Sequence, residues 1–310
     1  MNPSDRVLAQ QIDAGLQAYV ATRRPLQGIR GEAARQCLVA QLIDSVRRVR
    51  YVSVVRSRPV SPRRSDPSST LFDPIKAAIL LDRQGQSDEA CWLVFLSVHF
   101  GKALRTGWTR VRDVYGSLGG TPWTWSRTST NPQSFRSWLA TNTPGLKGGG
   151  RKFGNHRKYQ SLDAWAPNGT GDAVQTYVEW VAPPRNHQVL FAEAQQRAAR
   201  DPGVAFDHLY HSMQAVKSFG RMARFDYLTM IGKIGLTPIE PASVYMDGAT
   251  GPLAGAQLLF GVRVSASLRG AVVDTWLVEL GQQLGVGMQV IEDAICNWQK
   301  SPAAFVRFGG

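Results

Sequence analysis

A glycine-rich turn and a carboxylate that follows it are the residues of this 310-residue chain that most directly suggest chemistry. The turn is Gly251-Pro252-Leu253-Ala254-Gly255-Ala256, and Asp274 lies 18 residues after Ala256 within Val273-Asp274-Thr275. Glycines let backbone N–H groups approach a phosphate closely, and the N-terminus of a helix favours negative charge. The spacing predicts a turn that binds phosphate, beside an acid that acts on what the turn holds. A plain helix connection with Asp274 as a helix cap stays open as the alternative.

A second candidate segment combines glycines, cations and aromatic rings. It begins at Lys147 and reads Gly148-Gly149-Gly150-Arg151-Lys152-Phe153-Gly154-Asn155-His156-Arg157-Lys158-Tyr159. Cations next to stacking rings suit a phosphate-rich ligand that also presents a base. The segment lacks Gly-Lys-Ser/Thr and is therefore not a P-loop. A solvated basic loop is the simpler interpretation.

A third basic segment runs from Lys217 to Tyr227. Helical spacing predicts that Lys217, Arg221 and Arg224 share one face, with Asp226 either orienting Arg224 or pairing at the surface. Lys233 follows about two helical turns later. Upstream, Asp207, His208 and His211 fall within about one turn, but no further ligand cluster accompanies them. We expect hydrogen-bonded helix residues there and no metal site.

Composition narrows the class of protein. The net charge of +13 and a pI near 10.1 favour a polyanionic partner, nucleic acid above all, over an inert basic surface. The three cysteines, Cys37, Cys91 and Cys296, have no Cys-x-x-Cys spacing, so we expect core residues in a reducing cytoplasm. No apolar run reaches the length of a membrane span, and the N-terminus lacks a signal core, so a cytoplasmic protein without membrane contact is expected.

Apolar periodicity predicts a mainly α protein. Proposed domains are 1–70, comprising N-terminal helices and a basic arm, and 71–310, a helical catalytic region. Arg47–Ser69 fits an exposed linker or a DNA-contacting arm equally, and Val52–Val55 is the best strand candidate. Gly119–Gly150 is predicted to be a lid or a long connection, and Pro241–Met246 a short helix. The other predicted helices are 6–19, 31–46, 73–81, 88–102, 108–118, 173–181, 188–200, 205–218, 221–234, 252–261, 270–281 and 286–298.

The last third of the chain resembles the helix-hairpin-helix DNA glycosylase superfamily. A helix ending near Gly235, a connection and the helix that starts at Pro252 match the hairpin, near 226–262, and Val273-Asp274-Thr275 matches the element that carries the catalytic Asp. The resemblance implies a glycosylase-like helical architecture. Ala254 stands where lyase-type members have lysine, which argues against Schiff-base strand cleavage. The C-terminus has no four-cysteine iron–sulfur pattern.

From Leu71 to Trp298 the chain resembles a narrower group, the alpha-glutamyl/putrescinyl thymine pyrophosphorylases, also called amino acid:DNA transferases. The resemblance is carried by Phe153–Tyr159, by Ser218-Phe219-Gly220-Arg221 with Phe225-Asp226-Tyr227, and by Gly248–Gly261. It implies a bacteriophage enzyme of thymine hypermodification. Its substrate would be double-stranded DNA whose 5-hydroxymethyluracil an upstream DNA kinase has converted to the pyrophosphoryl form. An amine, such as glycine, another amino acid or a polyamine, would displace the pyrophosphate.

For that reaction the sequence assigns each candidate residue a role. The catalytic set is Asp274, His156 and Asn155; the pyrophosphate-binding set is Arg157, Lys158, Lys152, Arg221 and Arg224; Tyr159 stacks on the flipped base; and Gly248, Gly251, Gly255 and Lys233 bind the DNA backbone. We expect no metal or redox cofactor, although a divalent ion bound to the pyrophosphate is compatible. On this assignment Asp274→Asn keeps DNA binding and loses transfer. A glycosylase that excises a modified base and a non-catalytic DNA-binding protein are the alternatives.

Overall fold

The computed structural model describes residues 3–265 and 268–307, in which fourteen α-helices and no β-strand occur. This confirms the mainly α prediction. None of the described helices has the length and apolarity needed to cross a bilayer. The helices are α1 (Pro3–Thr22), α2 (Glu32–Arg56), α3 (Pro74–Arg83), α4 (Ser87–Phe100), α5 (Thr109–Tyr115), α6 (Trp125–Thr130), α7 (Pro132–Lys147), α8 (Thr170–Val181), α9 (His187–Arg197), α10 (Pro202–Ser212), α11 (Arg221–Ile234), α12 (Gly251–Phe260), α13 (Gly270–Leu284) and α14 (Met288–Trp298).

The chain forms two compact units that are not consecutive in sequence. The first comprises Met1–Val52 and Pro241–Gly310, and the second comprises Ser53–Glu240. The predicted boundary at residue 70 divides the sequence differently and stays a prediction. α11 belongs to the second unit and α12 to the first, so the two helices expected to form a hairpin belong to different units.

In the first unit α12 packs against α14, and small residues permit the approach. A Cβ on Gly251 would lie 2.7 Å from Cys296 Sγ, and one on Gly255 would clash with the Ile295 carbonyl oxygen. α14 follows in sequence, and its side of α12 could not be inferred from the glycine spacing alone.

α2 is longer than its apolar pattern indicated. The predicted strand at Val52–Val55 and the first part of the predicted arm, Arg47–Arg56, are both helical. Arg48 pairs with Asp44 one turn earlier at 2.8 Å and with Asp293 on α14 at 2.6 Å. Arginine has good helix propensity, and extending an existing helix costs little compared with starting one, so the local β-branched residues do not end it.

In the second unit α4 is the central helix. Its residues Ala90–Leu96 are all buried, and α3, α9 and α11 pack against it. The predicted helices at 73–81 and 88–102 are thus confirmed as α3 and α4. Asp73 caps α3 by accepting from the backbone N–H groups of Ile75 and Lys76, which explains why that helix begins where the sequence suggested.

The predicted lid or long connection at Gly119–Gly150 was wrong, because most of it forms α6 and α7. Thr124 and Asn131 cap these helices through their side-chain oxygens. Trp123 is buried, and its carbonyl oxygen accepts from Trp92 Nε1 at 2.7 Å. Trp123 and Trp125 are therefore core residues.

The predicted helix at Pro241–Met246 is absent, since the segment is non-helical. The backbone N–H groups of Val244 and Met246 donate to the Asp274 carboxylate instead of to helix carbonyls. A side chain distant in sequence therefore accepts the backbone hydrogen bonds of this segment, and local helix propensity does not reveal that.

Candidate functional site

The basic segment that follows α7 is fastened to the C-terminal end of α4. The backbone N–H of Gly154 donates to the Phe100 carbonyl oxygen at 2.8 Å. A Cβ built on Gly154 would lie 2.8 Å from the carbonyl carbon of Gly101, which itself has φ +66°. Any side chain at Gly154 would force the two backbones apart. The close contact fixes the position of the short 3-10 turn, Asn155–Arg157, that comes next.

Arg157, the last residue of this 3-10 turn, has a buried guanidinium group. Its side chain is 9 % exposed, and its Nη2 donates to Asp226 Oδ2 at 2.9 Å. Its Nε donates to the Val98 carbonyl oxygen at 2.8 Å. Asp226 lies on α11, 69 residues further along the chain. Two motifs that are separate in the sequence therefore meet at one ion pair.

The Asp226 carboxylate is closely surrounded by protein and is still reached by solvent. Its side chain is 45 % exposed. Burial raises the pKa of Asp226, and the opposing attraction of Arg157, His156, Arg221 and Lys233 only partly offsets that effect. An accessible carboxylate with a raised pKa is a stronger proton acceptor than an ordinary carboxylate. That combination is typical of general acid–base sites.

The structure thus brings four of the predicted site residues to one carboxylate. His156 is exposed in the 3-10 turn, and Arg221 is buried at the first position of α11, with its guanidinium 5.5 Å from the Phe225 ring centroid. Lys233 was assigned to the DNA backbone on sequence grounds, yet it is among the cations that act on Asp226. The site carries more positive charge than the single carboxylate can balance, which suits an anionic ligand.

For the segment Lys217–Tyr227, one of the two roles left open for Asp226 was wrong, and so was the shared helix face of Lys217. Asp226 does not orient Arg224, because its partner is Arg157. The guanidinium of Arg224 instead lies 4.3 Å from the Tyr210 ring centroid and donates to the Tyr210 carbonyl oxygen at 3.0 Å. Lys217 lies in the turn before α11, so it does not share a helix face with the arginines. The apolar periodicity did not reveal the turn before α11, and that turn removes Lys217 from the helix face predicted for it.

The remaining predicted residues of the basic segment point outwards. Lys152 and Lys158 are exposed, and Tyr159 is 90 % exposed with Lys158 Nζ 5.0 Å from its ring centroid. The side chain of Asn155 lies outside the described part of the structure. The exposed lysines and the ring form a surface that a phosphate-bearing ligand could approach.

Buried side chains hold the first part of the basic segment, around Arg151 and Phe153, in place. The Arg110 guanidinium lies 4.4 Å from the Phe153 ring centroid and donates to the Arg151 carbonyl oxygen. Burial, with the Arg151 charge nearby, lowers the pKa of Arg110 to about 10. Arg151 Nε in turn donates to Asp113 Oδ2 at 2.6 Å. These contacts hold the segment in place and keep positive charge beneath it.

A chain of buried hydrogen bonds positions α11 from the other side. Asp88 Oδ1 accepts from His187 Nδ1 at 2.6 Å, and His187 Nε2 lies 2.7 Å from the Tyr177 hydroxyl. That hydroxyl is 2.9 Å from the hydroxyl of Tyr227, the neighbour of Asp226. Burial lowers the pKa of His187 despite Asp88, so the ring stays neutral and accepts from Tyr177. A continuous polar chain of this kind favours one position of the helix that carries Asp226.

Asp274, the acid singled out by the sequence, uses both carboxylate oxygens within the first unit. Its Oδ2 accepts from Ser243 Oγ at 2.7 Å and from the Met246 N–H at 3.1 Å, and its Oδ1 accepts from the Val244 N–H at 2.9 Å. These bonds hold the segment 243–246. Such an arrangement is typical of a structural acid.

The three glycines predicted to bind the DNA backbone differ in their surroundings. Gly251 and Gly255 face α14, as described above. Gly248 has φ +75° and open space where a side chain would stand. Among them, Gly248 is therefore the one whose Cβ direction is unobstructed.

No group of three or more His, Cys, Asp or Glu side chains suited to a metal ion occurs in residues 3–265 or 268–307. Asp207 and His211 lie 3.3 Å apart on adjacent turns of α10. That contact is the ordinary helix pairing expected from their spacing.

Sequence reasoning did not assign Asp226 a central role. The available signal was its setting within Phe225-Asp226-Tyr227-Leu228, where a lone carboxylate stands among residues that are all buried. An acid in an otherwise apolar helix stretch is costly without a function or a partner. Its partner, however, is contributed by a distant segment.

A family model described as alpha-glutamyl/putrescinyl thymine pyrophosphorylase clade 3 matches residues 33–310. The match includes both the basic segment and α11. No curated protein and no solved structure matches the chain.

Proposed function

The chain belongs to the alpha-glutamyl/putrescinyl thymine pyrophosphorylase family, and on that premise we propose that it modifies a pyrimidine in double-stranded DNA. The reaction displaces pyrophosphate from 5-(pyrophosphoryloxymethyl)uracil with an amine, glycine being the first choice and other amino acids or polyamines the next. The family name describes an enzyme that acts on a thymine derivative. The polymer, the amine and the transfer are our proposal.

The observation that carries the proposal is the Asp226 carboxylate among Arg157, His156, Arg221 and Lys233. Pyrophosphate leaves more easily when cations neutralise its developing charge. The attacking amine must lose a proton to become a neutral nucleophile or to complete the substitution. A cationic site with one accessible acid of raised pKa supplies both requirements.

The proposed step balances as a substitution at the exocyclic methylene. The bond between that carbon and the pyrophosphate oxygen breaks, and its electron pair leaves with pyrophosphate. The lone pair of the amine forms the new C–N bond, and one ammonium proton passes to the Asp226 carboxylate. The target base must leave the helix for its C5 substituent to reach the site. We assign the exposed Tyr159 to stacking on that base, and Lys152 and Lys158 to the phosphates.

Asp274 stays a second candidate for the acid. Its three hydrogen bonds to residues 243–246 favour a structural role. The substitution Asp274→Asn, compared with Asp226→Asn, separates the two assignments.

The experiment uses the full chain and a duplex oligonucleotide with one pyrophosphoryloxymethyluracil. Release of pyrophosphate is measured with and without glycine, and the nucleosides are then identified by mass spectrometry. Glycine-dependent pyrophosphate release with a matching mass gain supports transfer. Release of the free base would establish a glycosylase instead, and salt-sensitive binding without either product would establish a DNA-binding protein.

A further inference from the structure

A tight turn between α4 and α5 displays a leucine in solvent. The backbone N–H of Ala103 donates to the Gly107 carbonyl oxygen at 3.0 Å, and the Gly107 N–H donates back to Ala103 at 2.9 Å. Leu104, at the tip, is 87 % exposed, whereas Ala103 beside it is buried. The reciprocal hydrogen bonds define the turn and hold Leu104 outwards. Single exposed apolar side chains are common on protein surfaces, so the role of Leu104 has to be inferred from what surrounds it.

The turn is bonded to the basic segment of the candidate site. Thr106 Oγ1 donates to the Gly150 carbonyl oxygen at 3.1 Å. Gly101, which immediately precedes the exposed Lys102, makes the backbone contact with Gly154 described above. Leu104 is therefore fixed to the same loop that delivers Arg157 to Asp226.

The residues around Leu104 have the charge that duplex DNA requires. Lys102 and Arg105 are both exposed, on either side of the leucine in sequence. Cations that contact phosphates position a protein on the duplex, and apolar side chains inserted between base steps unstack and kink it. A protein partner with a hydrophobic pocket would also accept a leucine, but it would not explain the flanking cations or the bond to the basic segment.

We propose that Leu104 is the wedge that enters the DNA base stack when the target pyrimidine is turned out. This inference rests on the proposed function, since it assumes a base inside a duplex as the target. The leucine fills the space that the extruded base leaves, so it lowers the cost of extrusion. On a single strand there is no pair to break, and Leu104 has no role.

The test compares Leu104→Ala with wild type on two substrates that carry the same modified pyrimidine, one double-stranded and one single-stranded. Burial of a leucine side chain is worth enough that its loss should slow pyrophosphate release from the duplex about tenfold or more. Release from the single strand should stay within about twofold of wild type, the size of effect expected from a neutral surface change. Equal rates for variant and wild type on the duplex, or equal losses on both substrates, would overturn the proposal.

Two further variants make the result specific. Leu71→Ala removes another partly exposed leucine of the same unit and should leave both rates unchanged. Tyr159→Ala removes the assigned stacking ring, so it should lower the rate on both substrates. A loss confined to the duplex in Tyr159→Ala, with none in Leu104→Ala, would make Tyr159 the wedge and refute Leu104.

A readout independent of turnover separates this inference from the proposed function. The duplex carries 2-aminopurine beside the target, and its fluorescence rises when the stack opens. Wild type at saturation should raise the fluorescence, and Leu104→Ala at saturation should not. If wild type opens the stack but releases no pyrophosphate, the proposed function fails and the wedge is supported. If both proteins open the stack equally, the wedge is refuted whatever the chemistry.

Discussion

Replacing Asp226 with asparagine should abolish most transfer while leaving the fold intact. Asparagine has the same shape and keeps an oxygen that can accept from Arg157 Nη2, now at 2.9 Å from the carboxylate. It cannot take a proton from the ammonium. Loss of a general base costs typically about 10²–10⁴-fold in rate, so we expect the single-turnover rate of pyrophosphate release to fall within that range.

The pKa of Asp226 sets the expected sign of the stability change. Because burial outweighs the surrounding cations, the pKa lies above its ordinary value of 3.8, and the folded protein on balance disfavours the negative charge. Removing the charge should therefore leave the free energy of unfolding unchanged or slightly higher. Because 45 % of the Asp226 side chain is exposed, solvent screens its charge, and we expect a change of no more than about 1 kcal/mol. Lost activity without lost stability is the signature of a residue kept for function.

The pH profile supplies a second signature of the same group. Transfer needs the ionised carboxylate, so the wild-type rate should fall as pH is lowered through the raised pKa, above 3.8. In Asp226→Asn that acid limb should be missing from the residual rate. The limb and its absence can be read from single-turnover rates measured over a pH series, with folding checked by circular dichroism at each pH.

The matched control is Asp207→Asn on α10. The side chain of Asp207 is similarly exposed, 49 %, and its Oδ1 lies 3.3 Å from Nε2 of the His211 imidazole. It should keep full transfer, the same acid limb and DNA binding. Asp226→Asn should bind DNA at least as tightly as wild type, because it loses a negative charge. A rate for Asp226→Asn of half the wild-type value or more, with the acid limb intact, would refute the assignment of Asp226 as the base.

Three further predictions concern the supporting structure. Asp274→Asn should lower the free energy of unfolding by about 1–3 kcal/mol, because a single amide oxygen cannot replace three accepted hydrogen bonds; transfer lost from protein shown to be folded and DNA-bound would return Asp274 to the chemistry. Gly154→Ala should lower both the melting temperature and the rate of transfer, since its methyl group meets the Gly101 backbone. The control Gly31→Ala adds the same group in open space and should change neither. Equal behaviour of the two variants in melting and transfer assays would contradict the close contact. Burial lowers the pKa of His99 from 6.5 to about 3. Between pH 6.5 and 3 the unfolded chain binds a proton that the folded protein does not, so the free energy of unfolding should fall by up to about 1.4 kcal/mol per pH unit as the pH is lowered. Denaturant titrations in which His99→Gln keeps the wild-type pH slope would exclude His99 as the source of that slope.

Most of the helices could be predicted because local signals agreed with the tertiary structure. At α3 an aspartate cap precedes a proline and an apolar pattern, and all three indicate the same starting point. At Val52–Val55 local β propensity conflicts with the continuation of α2, and the continuing helix prevails. At Pro241–Met246 the deciding interaction comes from Asp274, 28 to 30 residues away.

The candidate site was predictable in its parts and not in its assembly. The glycines and cations of the basic segment, and the arginines of α11, are evident from composition. Nothing local indicates that Arg157 selects Asp226, because the pairing depends on the contact of Gly154 with Gly101 and on the packing of α11 against α4. The sequence pointed to Asp274 as the acid and gave Asp226 only the roles of orienting Arg224 or pairing at the surface. The hydrogen-bond partners of the two carboxylates distinguish them in the structure.

The assembled site also divides the predicted phosphate-binding cations into two groups with different tasks. Arg157 and Arg224 donate to the backbone carbonyl oxygens of Val98 and Tyr210, so each has part of its hydrogen-bonding capacity committed to the fold. Lys152 and Lys158 are exposed on the basic segment, which the contacts of Arg157 help to hold in place. A planar guanidinium with several donors suits the first task, and a hydrated ammonium on a flexible stem suits the second. Specificity for the pyrophosphate should therefore depend on the exposed lysines, whereas Arg157 determines where those lysines stand relative to Asp226.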